Sequence, residues 1–228
     1  MTKRLLILGL SMAAAAAAQA STSFHVPVSI SSSTSATDLF PVSNLIQGPG
    51  SGFDANDPHA KLLGGPDGNW VTAAPGGFPA DYIAVAGPPV LTIDLGVDLP
   101  LYEISAWGYA NSNANGVSSF SLRFATAAEG LAGFGGSIAF NPTYFAINDE
   151  TARQSFPFGE TIQARYVEMT LLDNHFVAPG DGSGGEIPGG DRVGLGEVAF
   201  AVVPEPSATF LALSSLGFLL LRRRARRC

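Results

Sequence analysis

Between residues 21 and 203 no stretch of a dozen residues keeps a helical period, and glycine and proline interrupt the chain throughout. An amphipathic helix needs apolar positions recurring every three to four residues, so this region is not built from long helices. Short alternating or β-rich runs recur instead: FHVPVSI (24–30), VLTIDLG (90–96), YEISAWGY (102–109), SSFSLRFAT (118–126), ARYVEMTLL (164–172) and VGLGEVAFAVV (193–203). In the fourth, Phe120, Leu122 and Phe124 fall on one face and Ser121, Arg123 and Ala125 on the other, the period of a half-buried strand. Several such runs, separated by glycine-rich turns, predict an all-β domain, a β-sandwich over 21–203. The connections are long: 47–59, 73–81, 129–137 and 178–191 are rich in glycine, and loops of that length carry function or stay loose. The last places Asp181, Glu186 and Asp191 among glycines but has no regular nonapeptide repeat, so it reads as a flexible loop rather than a metal site. No internal repeat is present.

The two ends do not belong to that domain. MTKRLLILGLSMAAAAAAQA (1–20) has a basic start at Lys3 and Arg4, an apolar run from Leu5 to Ala18 and a small-residue triplet ending at Ala20. That is the layout of a secretory signal peptide, with cleavage expected after Ala20. Without the two ends, segment 21–203 keeps five basic and eighteen acidic residues, a balance of −13 against −7 for the whole chain. Such a body repels nucleic acid, whose phosphates need clustered Lys or Arg. It suits solubility and tolerates hard divalent cations. The only cysteine is Cys228, in the last segment, where it has no specific role. A domain exported without disulfides must be held by its core, helped or not by a metal.

At the other end, Pro204, Glu205 and Pro206 form a stiff break that neither strand nor helix continues. An uncharged run from Ser207 to Leu221 follows, then Arg222, Arg223, Arg224, Arg226 and Arg227. As a helix the run would span about 22 Å, short of the ~30 Å of a bilayer core. The arginines hold its end on the cytoplasmic side, and their stems lengthen the span. The segment VPEPSATFLALSSLGFLLLRRRARR resembles a PEP-CTERM sorting domain, with all three parts in order over about twenty-five residues. The resemblance implies a transient transmembrane anchor over 204–228, read at Pro204–Pro206 by an exosortase-type processing enzyme. It also implies a Gram-negative bacterium that makes exopolysaccharide. The protein is then expected to cross the inner membrane, to be anchored there briefly, and to end at the outer surface or in the extracellular matrix.

The body carries a second resemblance. LLGGPDGNWVTA (62–73), LTIDLG (91–96), LYEISAWGY (101–109), VSSFSLRFAT (117–126), ARYVEMTL (164–171) and RVGLGEVAF (192–200) follow the order of discoidin-like domains, the galactose-binding-like jelly roll of many carbohydrate-binding modules. The similarity spans about residues 40–200, with 127–163 more divergent. It implies a structural Ca²⁺ held by Asp67, Asn69, Thr72 and Glu197, oxygen donors of the kind calcium takes. As residues in their own right, PDG is also a simple turn and Glu197 an ordinary strand carboxylate. The resemblance further implies sugar binding by loop aromatics and polar neighbours, with Phe53, Phe78, Phe134 and Phe176 as candidates and Asp173, Asn174 and His175 beside the last. Trp70 and Trp107 are expected in the core.

Catalytic signals are poor. His25, His59 and His175 form no HExxH, and there is no CxxC, GxSxG or phosphate-cradling loop. The expectation is a non-enzymatic, glycan-binding protein of the extracellular polysaccharide matrix. A hydrolase acting on that matrix and an adhesion protein binding other proteins are the alternatives.

Overall fold

The computed structural model describes residues 23–34, 39–47, 68–109, 114–142, 153–177 and 187–203. The expected signal peptide, sorting motif, membrane segment and arginine tail lie outside them. Among the described residues, no helix is long and apolar enough to cross a membrane. Phe24–Val203 forms one compact unit.

The unit is all-β, as its period-two runs predict. Its strands are β1 (Ser23–His25), β2 (Ser29–Ser32), β3 (Trp70–Val71), β4 (Val90–Gly108), β5 (Val117–Ala125), β6 (Ile138–Phe140), β7 (Gln154–Asn174) and β8 (Gly194–Val202). They hydrogen-bond in the order β1-β8-β4-β7-β5-β6, with β2 also on β4 and β3 also on β8. The registered pairs between strands are antiparallel. One short helix, α1 (Tyr82–Ala86), is capped by Asp81, whose side chain accepts from the Ala84 N–H.

Two long strands turn this single sheet into two layers. β4 has 19 residues, about 60 Å if straight, far more than one layer of a small domain can use. Its first half, Leu91 to Asp94, pairs with β2 and with β7. Its second half, Glu103 to Gly108, pairs with β8, and its stretch from Glu103 to Ala106 also pairs with the start of β7. Register shifts between Asp94 and Leu99 and between Leu101 and Glu103 mark the corner, where Gly96 takes φ +86. The sequence reads as two strands here because glycine and proline interrupt it. The structure instead keeps one strand and spends those residues on bulges, which bend a strand without ending it.

The first layer is therefore β2, the front of β4, the back of β7, β5 and β6. The second is β3 and β1, β8, the back of β4 and the front of β7. Leu91, Ile93, Val167, Met169, Phe120 and Leu122 of the first layer and Ile104, Phe200, Val198, Leu195 and Trp70 of the second belong to one buried cluster. Facing layers that share one core are a sandwich. Phe120 stitches them, with its ring centroid 5.4 Å from Phe140 and 5.2 Å from Phe156. Leu45, on a 3-10 turn spanning Val42–Ile46, joins the same core. Trp70 and Trp107 are both fully buried, as expected, but in different places: Trp107 packs on the outer side of the second layer with Ala199 and Phe24.

Candidate functional site

Five strand ends meet at one pole of the sandwich. Leu195 lies opposite both Trp70 and Gly108, Val117 opposite Asn174, and Gly116 forms a parallel bridge to Gly194. The loops leaving these ends are bound to one another by backbone bonds. His175 N–H donates to the Ala114 carbonyl, Ala114 N–H to Pro188, Gly194 N–H to Asn115, and Tyr82 N–H to Gly190.

Two buried asparagines organise this pole. Asn174 Nδ2 donates to the Gly190 and Arg192 carbonyls at 2.8 and 2.9 Å, while its Oδ1 accepts from the Phe176 N–H at 3.0 Å. Asn115 Oδ1 accepts from the Gly190 N–H at 2.6 Å. Asparagine serves well here because one amide both donates and accepts, so it satisfies loop backbone of either polarity. Gly190 takes φ +90, and a Cβ there would lie 2.6 Å from the Phe176 Cβ. The Phe176 ring is thus laid against bare backbone. Opposite them, Arg192 Nη1 donates to the Thr72 carbonyl and its Nε pairs with Asp191 at 3.7 Å.

Of the expected sugar-binding residues, Asp173, Asn174, His175 and Phe176 are consecutive at this pole, and the loop of Phe78 joins them through the Tyr82–Gly190 bond. Asp173 is exposed, Phe176 half-buried and Phe78 56 % exposed. Asn174 is 3 % exposed, and its amide is engaged by loop backbone. His175 has its Nε2 buried, with no hydrogen-bond partner among the described residues. Burial is the main cause that pushes its pKa below the ordinary histidine value, against the raising effects of Asp173 and of a backbone bond at Val117. At neutral pH it presents an uncharged ring. Phe134 lies elsewhere: Gly135 N–H donates to the Phe124 carbonyl, seven residues along β5 from Val117, about 23 Å. Phe53 is outside the described residues. Sequence reasoning missed Asn115 and Arg192; the Asn115–Gly116 dipeptide, a turn former, was the available signal for the first.

The expected calcium ligands are also divided. Asn69, Thr72 and Glu197 are all buried; Asp67 lies outside the described residues. Thr72 Oγ1 accepts from the Val193 N–H, and its own N–H donates to the Val193 carbonyl. Glu197 is four residues further along β8, about 13 Å away. Asn69, next to Trp70 and so on the Glu197 side of the Trp70–Leu195 pair, has its carbonyl held by Asn44 Nδ2 at 2.7 Å. Glu197 lies opposite Trp107 on β4, and Thr72 is bonded to Val193 at the loop pole. The hard oxygens of an amide, a hydroxyl and a carboxylate are of the kind calcium takes.

No family model and no curated protein matches the chain. Among solved structures it is similar to the family 32 carbohydrate-binding module of C. perfringens NanJ in complex with galactose, at 14% identity, over 76% of this chain and 92% of that one, with a TM-score of 0.44. It is similar to CBM32-3 of a family 31 glycoside hydrolase from Clostridium perfringens at 17% identity, 79% and 91% coverage and TM-score 0.49. A Streptococcus pneumoniae fucose-binding module gives 11% identity, 80% and 99% coverage and TM-score 0.48. These values lie below 25% identity and below a TM-score of 0.5, so what decides the function of this chain is what its own loops present.

Proposed function

We propose that this is an exported, non-enzymatic glycan-binding protein of an extracellular polysaccharide matrix, sorted there by its PEP-CTERM tail. The observation that carries the binding role is the loop pole. An exposed aromatic ring at Phe78 and a half-buried one at Phe176 sit on loops joined through Gly190, with Asp173 as an acceptor for hydroxyls beside the neutral His175 ring. Apolar ring faces with a few fixed polar groups are what sugar sites require. The sorting role rests on the Pro204–Glu205–Pro206, apolar and arginine sequence alone. In this reading an exosortase-type enzyme and the membrane are transient partners, and exopolysaccharide is the lasting one.

Calcium belongs to the same proposal as a structural ion, with Asp67, Asn69, Thr72 and Glu197 as its donors. It would tie β8 to the chain ahead of β3 and supply no chemistry.

A glycan array probed with the protein, with and without EDTA, tests the binding role. Binding to galactose-type or related hexoses is expected, lost in Phe78→Ala and Phe176→Ala variants that keep their unfolding midpoints. No signal on the array in either condition refutes it. Hydrolysis of array glycans would move the protein to the matrix hydrolases. For the tail, replacing Pro204, Glu205 and Pro206 by alanine should leave the protein in the membrane fraction of its host.

A further inference from the structure

The outward face of the first layer has a composition of its own. Because Leu91, Ile93, Phe120, Leu122, Val167 and Met169 point into the core, the alternate residues point out. Registers align them in rows: Ser31, Thr92, Glu168 and Arg123 in one, and Val90, Thr170 and Ser121 in the next. On the other side, Asp94 lies opposite Ser29 and Tyr166.

Two arginines are fixed on this face. Arg123 donates from Nε to Glu168 Oε1 at 2.8 Å and lies 5.5 Å from the Phe134 ring centroid. Arg165 donates from Nε and Nη2 to the two Asp94 oxygens at 2.9 and 3.0 Å and lies 4.9 Å from the Tyr166 ring centroid. Their side chains remain 43% and 32% exposed. Among the described residues, neither Nη1 nor Glu168 Oε2 is used in a hydrogen bond. Each pair therefore sets unused donors beside a carboxylate, in a geometry already ordered by an ion pair and an aromatic ring. Ordering of this kind removes much of the entropy lost on binding.

The chemistry of these pairs selects the ligand. Each guanidinium is neutralised by its own carboxylate, so the face has no surplus charge for an anion. A vicinal diol matches it: one hydroxyl accepts from the guanidinium and its neighbour donates to the carboxylate. The two pairs both draw on β7, and Asp94 lies one strand and one row from Glu168, about 8 Å, the reach of linked sugars rather than of one diol. Thr92 adjoins both pairs, opposite Glu168 and one row from Asp94, and Thr170 and Ser121 carry the hydroxyl-lined face on beyond Arg123–Glu168. We propose that this face is a second binding surface, taking an extended neutral polysaccharide strand whose diols engage Arg123–Glu168 and Arg165–Asp94. It is separate from the loop pole, since Arg123 is six residues along β5 from Val117, about 20 Å.

The test is native electrophoresis of the full chain through gels containing galactomannan, mixed-linkage β-glucan or alginate, in a Phe78→Ala background. Retardation by a neutral polymer is expected, weakened at least tenfold by Arg123→Gln and about threefold by Thr170→Val, with urea midpoints recorded for both. Thr170→Val conserves volume and keeps the question open if Arg123→Gln fails to fold. Unchanged retardation in folded variants, equal retardation by alginate, or no retardation by either neutral polymer overturns the proposal. The loop-pole proposal fails on a different readout, unchanged galactose binding in Phe78→Ala.

Discussion

Asn174 gives the sharpest test of how the loop pole is held. It makes three hydrogen bonds, two as donor and one as acceptor, at 2.8 to 3.0 Å, with a side chain almost wholly buried. A neutral hydrogen bond contributes about 1 kcal/mol net, and an orphaned buried partner costs about 1–3 kcal/mol. The Gly190 carbonyl keeps a second donor in Tyr82 N–H, so truncation orphans chiefly the Arg192 carbonyl and the Phe176 N–H. Asn174→Ala should therefore cost about 3 kcal/mol. Asn174→Asp is the better probe, because it keeps the acceptor for Phe176 but turns a carboxylate toward two carbonyls. It should cost at least as much at pH 7, and less near pH 4 as the new acid gains a proton. Urea denaturation at both pH values measures this. If both variants unfold within 1 kcal/mol of the parent at pH 7, Asn174 does not hold the pole.

Three further outcomes follow from the same structure. Gly190→Ala should destabilise by about 2–4 kcal/mol in urea melts and weaken sugar binding, since φ +90 is strained for a side chain and its Cβ meets Phe176. Phe120→Ala should cost about 3–5 kcal/mol, because the ring is fully buried between the layers; a loss under 1 kcal/mol would mean the layers are joined elsewhere. The third concerns acid. His175 has a folded pKa below its unfolded value of about 6.5, so the unfolded chain binds the proton first and stability falls as pH drops below that value. In His175→Gln the decline between pH 7 and pH 5 should be shallower; an identical pH profile refutes the assignment. The lowered pKa of Asp94, set first by its bond to Arg165, adds a further loss only below about pH 4.

The sequence made β5 and β8 legible because each is a single β-rich run bounded by turn residues, alternating in β5 and almost wholly apolar or small in β8. It divided β4 at Gly96 to Leu101 because local chemistry there resembles a turn, and only the pairing with β7 on both sides reveals a corner. The front of β7 was missed for a related reason: Gln154 to Gln163 alternates weakly and carries Pro157 and Gly159, yet its pairing with the back of β4 overrides local preference. At the site, the consecutive Asp173 to Phe176 were visible as a motif. That Phe134 sits at the far end of β5, and that Thr72 serves Val193 and Arg192, depends on strand register, which residue types alone do not encode.

The position of β8 has a consequence for how the molecule comes into being. Its neighbours, β1, β3 and β4, all precede it in the chain, and eight of its nine residues are buried. A polypeptide delivered amino end first, from a ribosome or through a membrane pore, presents every other strand while the seam for β8 stands open. The seats of Leu195, Val198 and Phe200 remain wet until Val202 emerges and the Val203 N–H reaches the Pro100 carbonyl. The sheet thus closes only once its last strand is delivered, and a pause before residue 202 leaves an unclosed sheet exposed to proteases and to other copies of itself.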